Sequence, residues 1–353
     1  VLTVLNQPFP EAWRIPLHGW TNDGVDWLVA TYGDVFRGIT DTVLLLLVRV
    51  ERGLAAMPWW LVVLVVAALV WHASGRRIWP AVTLSGLLVL VGTFDLWSEM
   101  MTTLAIMLIA TLFTIVLGIP IGIAMARSDL FQTLFRPLLD GMQTMPSFVY
   151  LVPLVMFFGV GNVAAIIATF VYAVPPIIRL TDLGLRLVDA EVLEAAHAFG
   201  ASERQTLIWV RLPLALPTIM AGVNQAIMMA LAMVVLASMI GARGLGQEVL
   251  RGLQRGNVGL GLEAGLASAF LAIVMDRITA GAEVHIEVEQ LSKIFGPAPG
   301  PSFPCCTRAS PKDDILARTG HAVGLRDISL RVQHGEAFVV MGLSGSGKST
   351  LVR

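Results

Sequence analysis

Residues 101–125 read MTTLAIMLIATLFTIVLGIPIGIAM, without a single charged side chain. A helix needs about 20 predominantly apolar residues to cross the hydrocarbon core of a bilayer, so this stretch is long enough to span. Working outward, further apolar runs occur at 58–72, 78–94, 148–160, 163–178, 217–241 and 259–275. The runs at 148–160 and 163–178 are short and joined by a tight turn at 159–162. Trp59, Trp60 and Trp71 sit near the ends of the run at 58–72, as an interfacial aromatic belt places them. Residues 40–50 are apolar but too short and flanked by Arg49, Glu51 and Arg52, which reads as an interfacial segment. The expectation is an all-α polytopic membrane protein with 6–7 transmembrane helices. Composition agrees: 56% of the 353 residues are hydrophobic and 14% charged, against about 25% charged in a soluble domain. The net charge of -1 lacks the basic excess of a nucleic-acid-binding surface. The six histidines show no metal-ligand spacing, and Cys305 and Cys306 are adjacent, so no disulfide framework is expected.

Orientation follows from the arginines, which favour the cytoplasmic side. With the N-terminus outside, Arg76 and Arg77, then Arg127 and Arg136, then a polar loop over 179–216 bearing Arg179, Arg186, Arg204 and Arg211 fall inside. The leading tail, residues 1–57, holds six acids against four arginines and is read as extracytoplasmic, with an amphipathic segment. Arg243, Arg251 and Arg255 break the rule, landing outside. Residues 58–279 form the membrane domain, whose last span ends in the cytoplasm.

From residue 280 the composition turns soluble. Residues 285–291 (HIEVEQL) alternate as a half-buried strand does, 296–304 is a Pro/Gly loop, and Ile328, Leu330 and Val332 alternate again. After the short apolar run 337–341 comes Gly342-Leu343-Ser344-Gly345-Ser346-Gly347-Lys348-Ser349-Thr350, matching G-x-x-x-x-G-K-[ST] at every fixed position. Such a loop turns backbone N–H groups toward phosphate oxygens. Lys348 is expected on the β and γ phosphates of ATP, and the Ser349 hydroxyl on Mg²⁺. Residues 280–353 are therefore expected to be a short, incomplete α/β P-loop fragment, the truncated start of an ATP-binding domain.

Within the loop 179–216 stands Glu194-Ala195-Ala196-His197-Ala198-Phe199-Gly200, with Leu212-Pro213 twelve residues after Gly200. The alanines favour a short helix whose thin face suits a groove, and Gly200 supplies a turn at its end. This pattern resembles the E-A-A-x-x-x-G motif of ABC importer permeases. The stretches 136–153 (RPLLDGMQTMPSFVYLVP), 175–180 (PPIIRL), 199–202 (FGAS) and 217–225 (PTIMAGVNQ) are similar to the permease of the glycine betaine/proline importer family. Separately, 293–296 (KIFG) and 340–353 (VMGLSGSGKSTLVR) look like the start of that system's ATPase. The resemblance implies import of a quaternary ammonium osmolyte across the bacterial inner membrane. It implies ABC ATPase subunits that dock on Glu194, Ala195, Ala196, Gly200, Leu212 and Pro213, an extracytoplasmic binding protein, and a second permease copy as partners. It implies alternating access with no covalent chemistry by the permease. In the family, permease and ATPase are usually separate chains, so a fused or truncated reading frame is expected rather than a working fusion. The interval from Met275 to the first soluble strand spans at most roughly 35 Å extended.

Other residues carry two readings each. Asn224 and Gln225, polar inside a span, either line the pathway or bond between helices. Met220, Met228, Met229, Met233 and Met239 read as adaptable packing more readily than as a substrate site. The nine Trp invite a cation–π cage for a quaternary ammonium, but most lie in the tail or near interfaces, and the family places the cage in its binding protein. Phe295 either stacks on adenine, as the resemblance implies, or packs in a core. Choline or carnitine is the alternative cargo. A membrane-anchored P-loop sensor or kinase is the rival from another class, and it has no use for the E-A-A pattern. An ion channel needs a charged or carbonyl-lined filter, which the spans do not offer.

An isolated helix as short as the one opening at Lys348 does not persist in water, and no later strand supplies an acid for Mg²⁺. The purified chain is therefore expected to show no ATP turnover by phosphate release; turnover above background without an added ATPase overturns that expectation.

Overall fold

The structure is a computed structural model, and it describes residues 17–75, 77–280, 286–295 and 322–332. The chain divides into two compact units, Val1–Ala282 and Glu283–Arg353. Within the described residues the first unit is helical throughout. In chain order it comprises α1 (Leu17–Ala56), α2 (Trp59–Ala73), α3 (Ile78–Thr93), α4 (Trp97–Arg127), α5 (Asp129–Thr144), α6 (Ser147–Phe158) and α7 (Asn162–Arg186). Then come α8 (Ala190–Ala198), α9 (Glu203–Gln205) running through a π turn (Thr206–Arg211) into α10 (Leu212–Leu236), a 3-10 turn (Ala237–Ile240), α11 (Leu245–Gln254) and α12 (Val258–Ala280).

Four helical stretches are long and apolar enough to cross a membrane: Trp97–Arg127, Asn162–Arg186, Glu203–Ile240 and Val258–Thr279. The pairs α1 with α2 and α5 with α6 pass the same test together, bent by 99° and 100°, which makes six where each bent pair is one span, and Ile78–Thr93 is a shorter apolar helix. The polytopic all-α architecture expected from the apolar runs is thus what the chain adopts.

Two local expectations need correction. Residues 40–50 are no separate interfacial piece: they lie inside the 40-residue helix α1, with Val43 and Leu47 buried. Frequent Gly and Asp along α1 mask the helix in sequence, yet its Phe36 stacks on Phe157 of α6 at 4.8 Å between ring centroids. The stretch 179–216 is not a loop either. α7 continues to Arg186 and α10 begins at Leu212, so the polar region between them is a chain of short helices.

Helix α7 lies at the centre, with most of its residues buried and α4 and α10 packed along it. Small residues set the spacing. A Cβ on Gly122 of α4 would fall 2.8 Å from the Ile178 carbonyl and 2.6 Å from Thr181 Cβ, and Gly118 one turn earlier faces Ile177 as closely. On the other side Gly222 of α10 meets Leu180 and Ile177, and Gly184 of α7 meets Thr218. Helices in lipid associate by such close backbone approach.

In the second unit, β1 (Ile286–Phe295) and β2 (Ala322–Val332) pair antiparallel, with Ile286 opposite Val332 and Phe295 opposite Ala322. The alternating residues read as strands lie on these two. The P-loop stretch 342–350 and both cysteines fall outside the described residues.

Adding one methyl at the α4–α7 contact forces overpacking, which costs about 1–3 kcal/mol. Gly122→Ala is expected to lower the thermal unfolding midpoint of the detergent-solubilised protein. Gly86→Ala on α3, where a Cβ meets nothing within 4 Å, is expected to leave it unchanged.

Candidate coupling segment and polar cavity

The segment between α7 and α10 folds by local rules. The Asp189 side chain accepts from the Glu191 N–H at 2.9 Å and caps α8, satisfying a donor the helix start leaves free. At the other end the Ala201 N–H reaches back to the Ala196 carbonyl at 3.1 Å, and Gly200 sits at φ 81°. This is a Schellman ending, which wants glycine at the left-handed position. Ser202 and Gln205 then form a reciprocal capping box: Ser202 Oγ accepts from the Gln205 N–H, and Gln205 Oε1 accepts from the Ser202 N–H. His197 Nε2 lies 3.5 Å from Glu203 Oε1 across the corner.

The π turn has a chemical cause. Pro213 carries no N–H to return to Trp209, and the Leu212 N–H instead bonds five residues back, to the Leu207 carbonyl. Leu212-Pro213 thereby marks the entry into α10. The result is an elbow with no buried residue on α8, on which Glu194 and Ala195 are exposed and Ala196 half-buried. At its tip Phe199 is 93% exposed, an aromatic that covers almost nothing among the described residues.

Just before this elbow, one side chain joins three helices of the bundle. Arg186, at the end of α7, donates to Asp182 Oδ1 at 2.8 Å, to Asp129 Oδ1 of α5 at 2.8 Å and to the Met125 carbonyl of α4 at 2.9 Å. The other oxygen of Asp182 accepts from Gln132 Nε2 at 2.6 Å. Further along, Arg179 of α7 pairs with Asp140 of α5. Gln132, Asp140, Arg179, Asp182 and Arg186 border a cavity of about 490 Å³ whose lining also includes Arg136, Gln143 and Gln225.

The two polar residues singled out on α10 part company. Asn224 donates to Asp276 Oδ1 at 3.3 Å and accepts from the Thr279 hydroxyl, both on α12, so it bonds between helices. Gln225 lines the cavity. Sequence reasoning used Arg186 only for orientation and did not single out Asp182, Asp129 or Gln132 as a cluster: Asp182 and Arg186 stand at i,i+4 on one helix face, but their links to Gln132 and Asp129 cross 50 and 57 residues. Phe295 ends β1 half-exposed, with Lys293 Nζ 5.9 Å from its ring centroid.

The left-handed turn gives a direct test. A β-branched residue in that conformation costs about 1–2 kcal/mol, so Gly200→Val is expected to speed amide exchange across α8, whereas Gly200→Asn retains protection. Equal exchange in both variants overturns the assignment.

Residues 118–283 match the family described as "Binding-protein-dependent transport system inner membrane component". The chain is 49% identical over 265 residues to the glycine betaine/proline betaine transport system permease protein ProW of Escherichia coli (strain K12), covering 75% of this chain and 74% of that protein. It is 43% identical over 271 residues to the glycine betaine transport system permease protein OpuAB of Bacillus subtilis (strain 168), covering 77% and 95%. It is 40% identical over 277 residues to the glycine betaine/carnitine transport permease protein GbuB of Listeria monocytogenes serotype 1/2a (strain 10403S), covering 76% and 96%.

Proposed function

Because the chain belongs to the binding-protein-dependent transport system inner membrane components, the multi-pass permeases of ABC importers, we propose that its cargo is glycine betaine or a closely related betaine. Relatives at 40–49% identity whose names carry glycine betaine support that choice over choline. Carnitine stays the second reading, favoured by the Listeria relative. The partners are ATPase subunits and a substrate-binding protein. In the proposed assembly two permease copies enclose the pathway, the N-terminus lies outside, and α8 faces the cytosol.

The observation that carries the coupling role is the elbow itself. A capped helix of three turns or fewer, ending in a glycine turn and an exposed Phe199, is a surface made for a groove on another protein. In this reading an ATPase holds Glu194, Ala195, Ala196 and Gly200, and its closure displaces the segment that ends at Leu212-Pro213. Arg186 passes the displacement on, because one guanidinium grips the ends of α4, α5 and α7 together. The cavity bearing Gln225 borders these same groups, which supports placing it along the cytoplasmic part of the pathway. Asn224 is kept out of the pathway and assigned to helix bonding.

Residues 280–353 are proposed to be the opening of an ATP-binding domain, on the strength of the P-loop pattern at Gly342–Ser349. In the proposed assembly, hydrolysis of Mg²⁺-bound ATP by complete ATPase subunits would supply the free energy of transport. Lys348 and Ser349 are the groups expected to hold them, and both lie outside the described residues.

Uptake of labelled glycine betaine into proteoliposomes holding the permease, its ATPase and its binding protein is expected, and choline is expected to compete poorly. Gly200→Asp and Arg186→Met are expected to abolish most uptake while ATP turnover by the assembled complex persists. Uptake unchanged in both variants sinks the coupling role. Absent uptake of any betaine by the wild type sinks the cargo assignment.

A further inference from the structure

Helical spacing brings two polar stripes together. On α5, Gln132, Arg136, Asp140 and Gln143 recur every three or four residues, and on α7 so do Arg179, Asp182 and Arg186. Residues so spaced share one helix face, and both stripes line the cavity of about 490 Å³. Charged groups on membrane helices turn to the bundle interior or to water rather than to lipid, so the cavity belongs to the polar interior. Small-molecule sites occupy about 300–1,000 Å³, and this cavity falls within that range.

The arginines of this lining differ in how far they are satisfied. Arg186 donates from Nε, Nη1 and Nη2, to Asp182, Asp129 and the Met125 carbonyl. Arg179 donates from Nη2 to Asp140, and its Nε–H is buried without a partner. A guanidinium holds five donors in a fork that grips a carboxylate through two parallel bonds, and Asp140 leaves most of that fork unused. Arg136, one turn before Asp140 and exposed, has no ion-pair partner among the described residues. Three guanidinium groups in the lining face the carboxylates of Asp140 and Asp182, so one positive charge is in surplus, at Arg136. Leu139, Leu180 and Leu183 add apolar wall.

We infer that this cavity binds the cargo itself, and that Arg179 and Arg136 take the carboxylate of a betaine in place of Asp140. The inference rests on the proposed betaine cargo and names the place where the permease selects it. Asp140 is the internal competitor for Arg179, and it yields to a carboxylate that can use both arms of the fork while Arg136 adds the surplus charge. A quaternary ammonium donates no hydrogen bond, so its methyl groups meet the leucine wall without leaving a buried donor unpaired. Choline carries the same trimethylammonium group without a carboxylate. It brings only positive charge to a lining already in positive surplus, and like charges disfavour one another.

The test uses the assembled transporter in nanodiscs, with Cys305→Ser and Cys306→Ser and a reporter in the cavity wall, Leu183→Cys or, independently, Gln225→Cys. At constant osmolality glycine betaine is expected to slow maleimide labelling of the reporter severalfold, and choline to leave the rate unchanged. Arg136→Gln is expected to raise the half-protecting betaine concentration about tenfold or more. Asp140→Asn is expected to lower it, because the competing carboxylate is gone; a pair that only braced α5 against α7 would raise it instead. Asp140→Asn with Arg179→Gln removes both charges together and is expected to lose protection at an unfolding midpoint near wild type. Failure of betaine to protect either reporter, with betaine uptake by the wild type intact, overturns the site and leaves the cargo standing; absent uptake overturns both. Equal protection by choline, or by inorganic phosphate at matched ionic strength, overturns the carboxylate assignment. Protection unchanged or weakened in Asp140→Asn overturns the displacement.

Discussion

Inside hydrocarbon no water-driven force pulls two apolar helices together, because lipid tails are as apolar as leucine. What remains is packing at close range, and in this bundle it is concentrated on one helix. Gly118 and Gly122 let α4 reach the backbone of α7 from one side, and Gly184 with Gly222 does the same for α10 from the other. Ile177 is fully buried between the two contacts. Helix α7 is thereby fixed as an axle: at its start the Asn162 side chain accepts from the Arg243 N–H, and at its end Arg186 holds α4 and α5.

The axle is not uniform along its length. Pro175 and Pro176 stand in its buried middle, and neither returns an N–H to the preceding turn. Lipid tolerates such gaps where neighbouring helices cover them, and here α4 and α10 do. The bent pairs obey the same constraint. α6 has 12 residues and α2 has 15, each short of a bilayer alone, and each meets the helix before it at a bend of 100° and 99°, as a broken span or a re-entrant segment does.

The spans were legible in sequence because lipid admits few solutions: an uncharged run such as 101–125 has to be a helix. The turn at Gly200 was legible as well, since a glycine ending acts over five or six residues. Three things were not. α1 spreads Gly and Asp through an amphipathic pattern, so its continuity shows only where Val43 and Leu47 meet the bundle. The region 179–216 looks polar and loop-like because its helices are short and expose nearly every side chain. The two polar residues on α10 look equivalent as neighbours, yet a step of one residue turns a helix by about 100°. That step sends Asn224 to α12 and Gln225 to the cavity.

Helices attach to α7 in contrasting ways. α4 and α10 are joined to it by glycine contacts that admit no gap without losing the dispersion that holds them. α5 adds polar pairs to its packing: Asp129 with Arg186, Gln132 with Asp182 and Asp140 with Arg179 stand beside Phe131, Phe135, Leu139 and Met142, which pack into the hydrophobic core. Ion pairs at a wetted boundary contribute little net stability and exchange partners with water readily, whereas interdigitated packing is all or nothing. The contacts therefore differ in kind: α4 and α10 meet α7 by close packing at glycines, whereas α5 adds polar pairs beside the cavity that Gln132, Arg179 and Arg186 line.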